Sequence, residues 1–302
     1  MASREIEAAL AQKHAESEKI AKQTQSLAEM RAKLDAGVRD QVLDPSVGLE
    51  TVDAGGVPAV WLTPPEVTTD IVWLFFHGGA YVKGNVAASH GALSGLCRAS
   101  GARALSVDYR VAPEHPYPAA LDDARMAWAY LLQQGHPPGR IVVSGSSAGG
   151  GLALALAIAC RDAGGPQPGA LVPISPWADL TQSGESMQTR ADRDPELTKP
   201  YLDRFAADYA GRTDPRLPTI SPVFADWRGV TSAMLVQVGS EEILFDDARR
   251  VVEAATKAGL TAQLDIYDKA WHGWQNLGAA LPEAVDAARN AAAFLRRHLD
   301  GE

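Results

Sequence analysis

Two different spacings of apolar residues divide the chain into an N-terminal helical segment and a longer region of alternating elements. Residues 3–36 contain no Pro or Gly and carry a narrow apolar stripe at helical spacing, formed by Ile6, Ile20, Leu27, Met30 and Leu34. This spacing predicts helical structure with too little apolar surface to form a domain of its own. We therefore expect this segment to dock on the rest of the protein.

From Gly48 onward, turn residues alternate with short runs rich in β-branched and aromatic residues. Eight strands are predicted, at Gly48 to Val52, Val57 to Leu62, Ile71 to Phe76, Arg103 to Val107, Ile141 to Val143, Ala170 to Ile174, Met234 to Val238 and Ala262 to Tyr267. Helical stretches separate the later strands, at about 88–100, 119–134, 148–162, 245–258 and 281–299. Such alternation is typical of an α/β fold with a mainly parallel, doubly wound sheet.

The alternation is interrupted between Asp179 and Pro222. This region is charged, is punctuated by prolines and contains one predicted helix, Lys199 to Ala210. An interruption of about 40 residues in a regular α/β pattern is expected to be an inserted lid.

Composition narrows the possible functions. The chain has 302 residues, of which 46% are hydrophobic, and a formal net charge of −9. One large core can form, and the acidic balance argues against nucleic-acid or anionic-membrane partners.

Cys97 and Cys160 lie in apolar helical stretches and are expected to be free and buried. The charged N-terminus lacks the apolar core of a signal peptide, and no run of 18 apolar residues occurs. We therefore expect a soluble cytoplasmic protein.

Residues 145–149 read Gly-Ser-Ser-Ala-Gly, a G-x-S-x-G pentapeptide between the apolar run 141–143 and the helix-forming stretch 152–159. A strand that turns sharply into a helix strains the residue at the turn, and small residues two positions before and after it relieve the crowding. Ser147 is therefore the candidate nucleophile. Its hydroxyl needs a general base within hydrogen-bonding reach.

His272 is the preferred base. In G-x-S-x-G hydrolases the acid and the histidine follow the nucleophile along the chain, which leaves His272 and His298. His298 lies near the end of the last predicted helix, far from any strand end. His272 follows the last predicted strand, at the edge of the sheet where Ser147 is also expected.

The acid should lie in the loop after the strand Met234 to Val238, where four carboxylates occur. Asp246 and Asp247 are well placed in the first turn of the next helix, where a negative charge is favourable. Glu241 and Glu242 lie in the loop itself and, being adjacent, point in different directions. The residues alone leave these two nearly equal, and we expect the one that faces away from His272 to be solvated.

A second loop can supply donors for an oxyanion. The strand ending at Phe76 is followed by His77, Gly78 and Gly79, so backbone amides can approach a ligand without interference from a Cβ. Together with the amide of Ala148, the amides of Gly78 and Gly79 form a predicted oxyanion hole.

These motifs together resemble the hormone-sensitive-lipase-like esterases of the α/β-hydrolase superfamily. The resemblance is carried by four segments, His-Gly-Gly at 77–79, Asp-Tyr-Arg-Val-Ala-Pro-Glu-His-Pro-Tyr-Pro-Ala-Ala at 108–120, Gly-Ser-Ser-Ala-Gly-Gly at 145–150 and Ile-Ser-Pro-Trp at 174–177. It implies the α/β-hydrolase fold, gives Gly78, Gly79, Ser147, Ala148 and His272 the roles inferred above, and selects Glu242 as the acid. One residue departs from the family pattern, because Ser146 stands where Asp is usual.

The resemblance also implies a helical cap made of the N-terminal segment 1–45 and the insertion 179–215, over a catalytic domain at 46–178 and 216–302. The candidate walls of the substrate pocket are Tyr81, Trp177, Phe205, Tyr209 and Leu244. The run 108–120 is expected to be structural, without a catalytic residue.

The sequence thus predicts a carboxylesterase that cleaves short- to medium-chain acyl esters through an acyl-enzyme, without a metal or other cofactor. Hydrolysis of a lactone or an aryl amide by the same triad is an alternative. A non-catalytic ligand-binding protein on this fold is disfavoured because His272 is present. An open sheet leaves an unpaired edge, so a homodimer through the strand Ala262 to Tyr267 or the final helix is also expected.

Overall fold

An eight-stranded sheet forms the centre of the computed structural model, which describes residues 2–20, 26–39 and 44–301. The strands are β1 (Gly48–Asp53), β2 (Pro58–Thr63), β3 (Val72–Phe76), β4 (Arg103–Val107), β5 (Ile141–Ser146), β6 (Ala170–Ile174), β7 (Ala233–Gly239) and β8 (Thr261–Tyr267). Their order is β1-β2-β4-β3-β5-β6-β7-β8. Strand β2 is antiparallel to β1 and β4, and the remaining pairs are parallel. The eight predicted strands and the mainly parallel sheet are confirmed.

The described α-helices are α1 (Arg4–Ile20), α2 (Leu27–Arg39), α3 (His90–Ser100), α4 (Ala119–Gln133), α5 (Ala148–Asp162), α6 (Ser186–Thr189), α7 (Lys199–Ala210), α8 (Phe245–Lys257) and α9 (Pro282–Leu295). Helices α4, α5 and α8 pack on one face of the sheet, and α3 and α9 pack on the other. Along β3 the side chains alternate between these two cores, with Leu74 and Phe76 in one and Trp73 and Phe75 in the other. A strand covered on both faces needs a continuous apolar run, which explains the sequence of β3.

The register of the central strands brings the predicted functional loops to one edge of the sheet. Phe76 of β3 is paired with Gly145 of β5, and Ser146 of β5 is paired with Ile174 of β6. Gly239 at the end of β7 is paired with Tyr267 at the end of β8. The loops that follow β3, β5, β7 and β8 therefore leave the sheet at the same edge.

The N-terminal helices dock on the catalytic core. Ile6 of α1 is fully buried in a small cluster that includes Trp271 and Trp274, and full burial of such a side chain contributes about 1.5 to 3 kcal/mol. Leu27 and Met30 of α2 pack against the main core. The expectation that the apolar stripe docks is confirmed at these positions. Residues 1, 21–25 and 40–43 of the predicted cap segment 1–45 lie outside the described residues.

The insertion after β6 contains the short helix α6 and the longer helix α7, which the sequence predicted at Lys199 to Ala210. Lys13 of α1 forms an ion pair with Glu196 of the insertion, with a distance of 2.7 Å between Nζ and Oε1. This contact connects the N-terminal segment to the insertion, the two parts that the family resemblance assigns to the cap. Among the described helices, none has the length and apolar character needed to span a bilayer.

Candidate active site

The backbone at Ser147 has an unusual conformation, with φ of 58° and ψ of −121°, between the end of β5 and the start of α5. Such a conformation typically costs about 1 to 3 kcal/mol. The flanking glycines are required for space. A Cβ at Gly145 would lie 2.3 Å from the carbonyl oxygen of Gly149, and a Cβ at Gly149 would lie 2.1 Å from that of Phe76. The strand-to-helix turn predicted from the pentapeptide is therefore present.

The loop after β3 lies directly against Ser147. A Cβ at Gly78 would be 3.3 Å from the Cβ of Ser147, and Gly79 has a φ of 124° that favours glycine. In the described part of the chain, no group accepts a hydrogen bond from the backbone amides of Gly78, Gly79 or Ala148. Ala148 is also the first residue of α5, where the helix dipole favours negative charge. These three amides are available to a ligand oxygen.

His77 and Tyr109 support this glycine loop. The two rings are stacked with a centroid distance of 4.1 Å, and the Tyr109 hydroxyl donates to the carbonyl oxygen of His77 at 2.8 Å. Nδ1 of His77 donates to the carbonyl oxygen of Gly78 at 2.8 Å. Burial lowers the pKa of His77 to about 4, against the opposing effect of its hydrogen bond to Gly78. A neutral imidazole therefore holds the loop at physiological pH.

Arg31 connects helix α2 to the same region. Its Nε donates to the carbonyl oxygen of Val82 at 2.8 Å, and one terminal nitrogen donates to that of Ala112 at 2.9 Å. The guanidinium also pairs with both carboxylate oxygens of Glu114. Because Val82 closes the turn that begins at Gly79, the N-terminal segment stabilises the loop that carries two of the free amides.

Glu242 and His272 are hydrogen-bonded to each other. The distance between Oε2 of Glu242 and Nδ1 of His272 is 2.8 Å. The other carboxylate oxygen, Oε1, accepts from the hydroxyl of Ser175 and from the amide of Gly239, both at 2.6 Å. Glu242 is fully buried, so these contacts fix its orientation. The hydrogen bond to Nδ1 leaves Nε2 of His272 free to accept a proton.

The electrostatic surroundings of His272 favour its protonated form. Burial opposes the charge, but the hydrogen bond and negative charge of Glu242, together with the charges of Asp194 and Glu196, raise the pKa of His272 above its usual value. An imidazole that is stabilised when protonated is suited to accept a proton during a reaction.

The four carboxylates of the acid loop have four different partners. Glu241 pairs with Arg193 through two contacts of 2.8 Å, and Asp246 accepts from the amide of Ser186 at 2.9 Å. Asp247 accepts from the amides of Ala178 and Asp179, at 2.9 and 2.8 Å. Asp246 and Asp247 do lie in the first turn of α8, as predicted. Their carboxylates nevertheless bind amides of the segment that follows β6.

The expectation that Glu241 is solvated is wrong. Its side chain is only 7% exposed, because Arg193 of the insertion covers it and neutralises its charge. The hydrogen bond and charge of Arg193 lower the pKa of Glu241 despite its burial. Glu241 thus joins the insertion to the acid loop and does not contact His272.

Ser147 is connected to the pair of Glu242 and His272 through the end of β6. The amide of Ser147 donates to the carbonyl oxygen of Ile174 at 2.9 Å, and the next residue, Ser175, donates to Glu242. Within the described residues, Oγ of Ser147 and Nε2 of His272 are not hydrogen-bonded to each other. Such contacts are often long in unliganded hydrolases and shorten when substrate binds. His298, the other candidate base, donates to the carbonyl oxygen of Phe294 near the C-terminus.

The five candidate pocket residues belong to one buried cluster, and each is at most 1% exposed. Tyr81 stacks on Tyr209 of α7 with a centroid distance of 3.8 Å, and the Tyr81 ring lies 6.0 Å from that of Trp177. Phe205 lies on the same helix as Tyr209, and Leu244 immediately precedes α8. The residues therefore lie between the insertion and the core. Their role as pocket walls stays a prediction.

Ser175 and Asp194 contact the acid loop, although sequence reasoning assigned neither of them a role. Ser175 follows the end of β6, at the same edge as the other predicted site residues. Its position in the sequence could therefore have indicated a role in the site. Asp194 lies in the insertion, where no periodic pattern indicates its contacts.

The comparisons with known proteins agree with this architecture. A sequence profile of the family described as alpha/beta hydrolase fold matches residues 73–276. An acetyl-hydrolase from Streptomyces hygroscopicus is 43% identical over 247 residues, which cover 82% of each chain. The crystal structure of an esterase from the bacterial hormone-sensitive lipase family is similar, with a TM-score of 0.92, 37% identity and 99% coverage of both chains. The structure of EstE5 soaked with p-nitrophenyl butyrate has a TM-score of 0.93 and 34% identity, and it covers 99% of this chain and 100% of that one.

Sequence motifs, sheet order and these similarities lead to one family. One edge of the sheet carries the strained turn at Ser147, the glycine loop after β3 and the histidine loop after β8. This arrangement agrees with the family that the sequence motifs resemble. The protein belongs to the α/β-hydrolase family, in its hormone-sensitive-lipase-like esterase branch.

Proposed function

We propose that this protein is a serine carboxylesterase that acts on short- to medium-chain acyl esters. Hydrolysis of esters is the activity of the family to which the chain belongs. The proposal of a serine mechanism rests on the 2.8 Å hydrogen bond between Glu242 and Nδ1 of His272. This bond leaves Nε2 of His272 free to act as the general base.

In the proposed reaction, Oγ of Ser147 attacks the carbonyl carbon of the ester while Nε2 of His272 takes the hydroxyl proton. The amides of Gly78, Gly79 and Ala148 donate to the oxyanion that forms. The bond between the carbonyl carbon and the alcohol oxygen then breaks, and the imidazolium returns its proton to the leaving alcohol. Water repeats the sequence on the acyl-enzyme and releases the carboxylic acid, which regenerates Ser147.

Glu242 has two roles in this scheme. Its hydrogen bond selects the tautomer of His272 that can accept the serine proton, and its charge stabilises the imidazolium. Ser175 and the amide of Gly239 hold the second carboxylate oxygen, so the carboxylate cannot rotate away from the ring.

The charged surface of the insertion supports a preference for dissolved esters. The exposed large apolar side chains of the described residues are Leu49, Val67, Leu217, Phe224, Ile266 and Leu277, and none lies within 179–215. A lipase that acts at an oil surface needs a contiguous apolar patch. We therefore propose that the cap binds soluble substrates.

The rate of hydrolysis of p-nitrophenyl esters should peak between roughly C2 and C8 and fall by at least about tenfold at C16. The series is measured as kcat/KM below the concentration at which each ester aggregates, with a lactone and an aryl amide of matched acyl length in parallel. No jump in rate should accompany aggregation. Faster hydrolysis of a long-chain triglyceride emulsion than of soluble butyrate would contradict the proposal, and a preferred lactone or amide would redefine the substrate class.

We also propose a homodimer through β8, which is the last strand of the sheet and leaves one edge unpaired. Ile266 of this strand is 52% exposed, and an exposed strand with an apolar side chain favours pairing with a second copy. Light scattering at micromolar concentration should give twice the chain mass of 32.0 kDa. A mass of one chain at that concentration would exclude the dimer.

A further inference from the structure

Asp194 is a buried carboxylate of the insertion that contacts the loop carrying Glu242. Its Oδ2 accepts from the amide of Ile243 at 3.1 Å, and Ile243 immediately follows Glu242 in the chain. Its Oδ1 accepts from the amides of Glu196 and Leu197, at 3.0 and 3.2 Å. The residue is only 6% exposed. Asp194 thus joins the turn of its own segment to the loop that carries the acid.

The same part of the insertion holds the acid loop at further points. Arg190 donates to the carbonyl oxygen of Ser240, and Arg193 pairs with Glu241. The hydroxyl of Ser186 donates to the carbonyl oxygen of Ile243 at 2.6 Å. The insertion therefore contacts the loop on both sides of Glu242.

Asp194 differs from Ser186, Arg190 and Arg193 because its negative charge favours the protonated form of His272. The groups that stabilise protonated His272 are Glu242 on the acid loop and Asp194 and Glu196 on the insertion. Glu196 is itself paired with Lys13 of α1, which offsets part of its effect. Burial raises the pKa of Asp194 to about 6, and the charge of His272 acts in the opposite direction.

We propose that Asp194 is a positioning residue, whose carboxylate fixes the loop that carries Glu242 and stabilises the protonated form of His272 during the reaction. The inference rests on the proposed function, since it adds a second carboxylate to the same proton-transfer site. Three amides and a nearby imidazolium compensate for the burial of this charge. A neutral side chain would satisfy the amides in part and would lose the effect on His272.

The test compares the pH dependence of kcat/KM for p-nitrophenyl butyrate in the wild type, Asp194→Asn, Asp194→Ser and Ser186→Ala. His272 must be neutral to act as a base, so the acid limb of the profile reports its pKa. Without the charge of Asp194 that pKa falls, and the acid limb moves down by about half to one pH unit in both Asp194 variants. The plateau rate falls by roughly three- to tenfold, because the imidazolium loses stabilisation.

Ser186→Ala is the matched control, because it removes a neighbouring hydrogen bond to the acid loop, the one to the carbonyl oxygen of Ile243, without removing any charge near His272. It should keep the acid limb of the wild type even if its thermal stability falls. An acid limb that is unchanged in both Asp194 variants would overturn the inference, whatever happens to the plateau. A purely structural role would lower the plateau without moving the limb.

A measurement on the wild type keeps the inference testable if the Asp194 variants fail to fold. Nitrogen NMR shifts of the His272 ring should show a second inflection at the pH at which the carbon shift of the Asp194 carboxyl titrates. A His272 curve without an inflection at that pH would overturn the inference. Failure of the proposed function is recognised separately, by the absence of an organophosphate adduct at Ser147 in the wild type.

Discussion

Replacement of Ser147 by Ala will reduce kcat/KM for p-nitrophenyl butyrate by at least about 10⁴-fold, since removal of a triad nucleophile typically costs several orders of magnitude. The proposed mechanism has no other group that could form the acyl-enzyme. The fold should be preserved, because the change removes one oxygen and leaves the backbone of the turn between β5 and α5 in place.

The measurement combines steady-state rates with covalent labelling. An organophosphate should label the wild type at Ser147 alone, and the Ser147→Ala variant should show neither the label nor a burst of p-nitrophenol. Ser146→Ala is the matched control, because Ser146 is the adjacent serine and is also buried, at 8% exposure. It should retain activity within about tenfold. Labelling of another serine, or residual activity of that size in Ser147→Ala, would remove Ser147 from the role of nucleophile.

Replacement of Glu242 by Gln is expected to reduce turnover by roughly 10³- to 10⁴-fold, by analogy with the loss of the acid in other triads. The amide has nearly the same shape as the carboxylate, so Ser175 and Gly239 can still contact it. It favours the wrong tautomer of His272 and withdraws the charge that stabilises the imidazolium.

The pH profile gives a second readout for this variant. Burial lowers the pKa of His272, and the hydrogen bond and charge of Glu242, together with the charges of Asp194 and Glu196, more than offset that effect. When the charge is removed, the pKa of His272 falls, and the acid limb of kcat/KM moves to lower pH. The remaining activity of Glu242→Gln should therefore persist at more acidic pH than that of the wild type.

Glu241→Gln is the matched control, at the adjacent position and with the same chemical change. It should cost less than about tenfold in turnover, because Glu241 pairs with Arg193 and does not contact His272. Loss of that pair should appear as lower thermal stability. The rate of acylation is measured for both variants under single-turnover conditions. A slow Glu241→Gln together with a Glu242→Gln that acylates at the wild-type rate would show that the acid is misassigned.

The sequence by itself predicted the eight strands, the mainly parallel sheet and the turn at Ser147. These features depend on short-range constraints. Buried parallel strands need continuous apolar runs, and a Cβ at Gly145 would collide with the carbonyl oxygen of Gly149 in the same pentapeptide. Chain order then limited the base to His272 or His298, and the resemblance selected Glu242 as the acid.

Only the tertiary structure decided which groups surround the acid. Glu241 and Glu242 are adjacent and chemically equivalent, and they are distinguished by partners distant in sequence, Arg193 for the first and His272 for the second. Asp194 likewise reaches Ile243 across 49 positions of sequence. Periodicity and turn chemistry describe neighbours within a few residues, whereas these hydrogen bonds depend on where the insertion packs against the end of β7. For that physical reason the sequence predicted the elements and the candidate nucleophile and base, while the orientation of the acid loop required the folded chain.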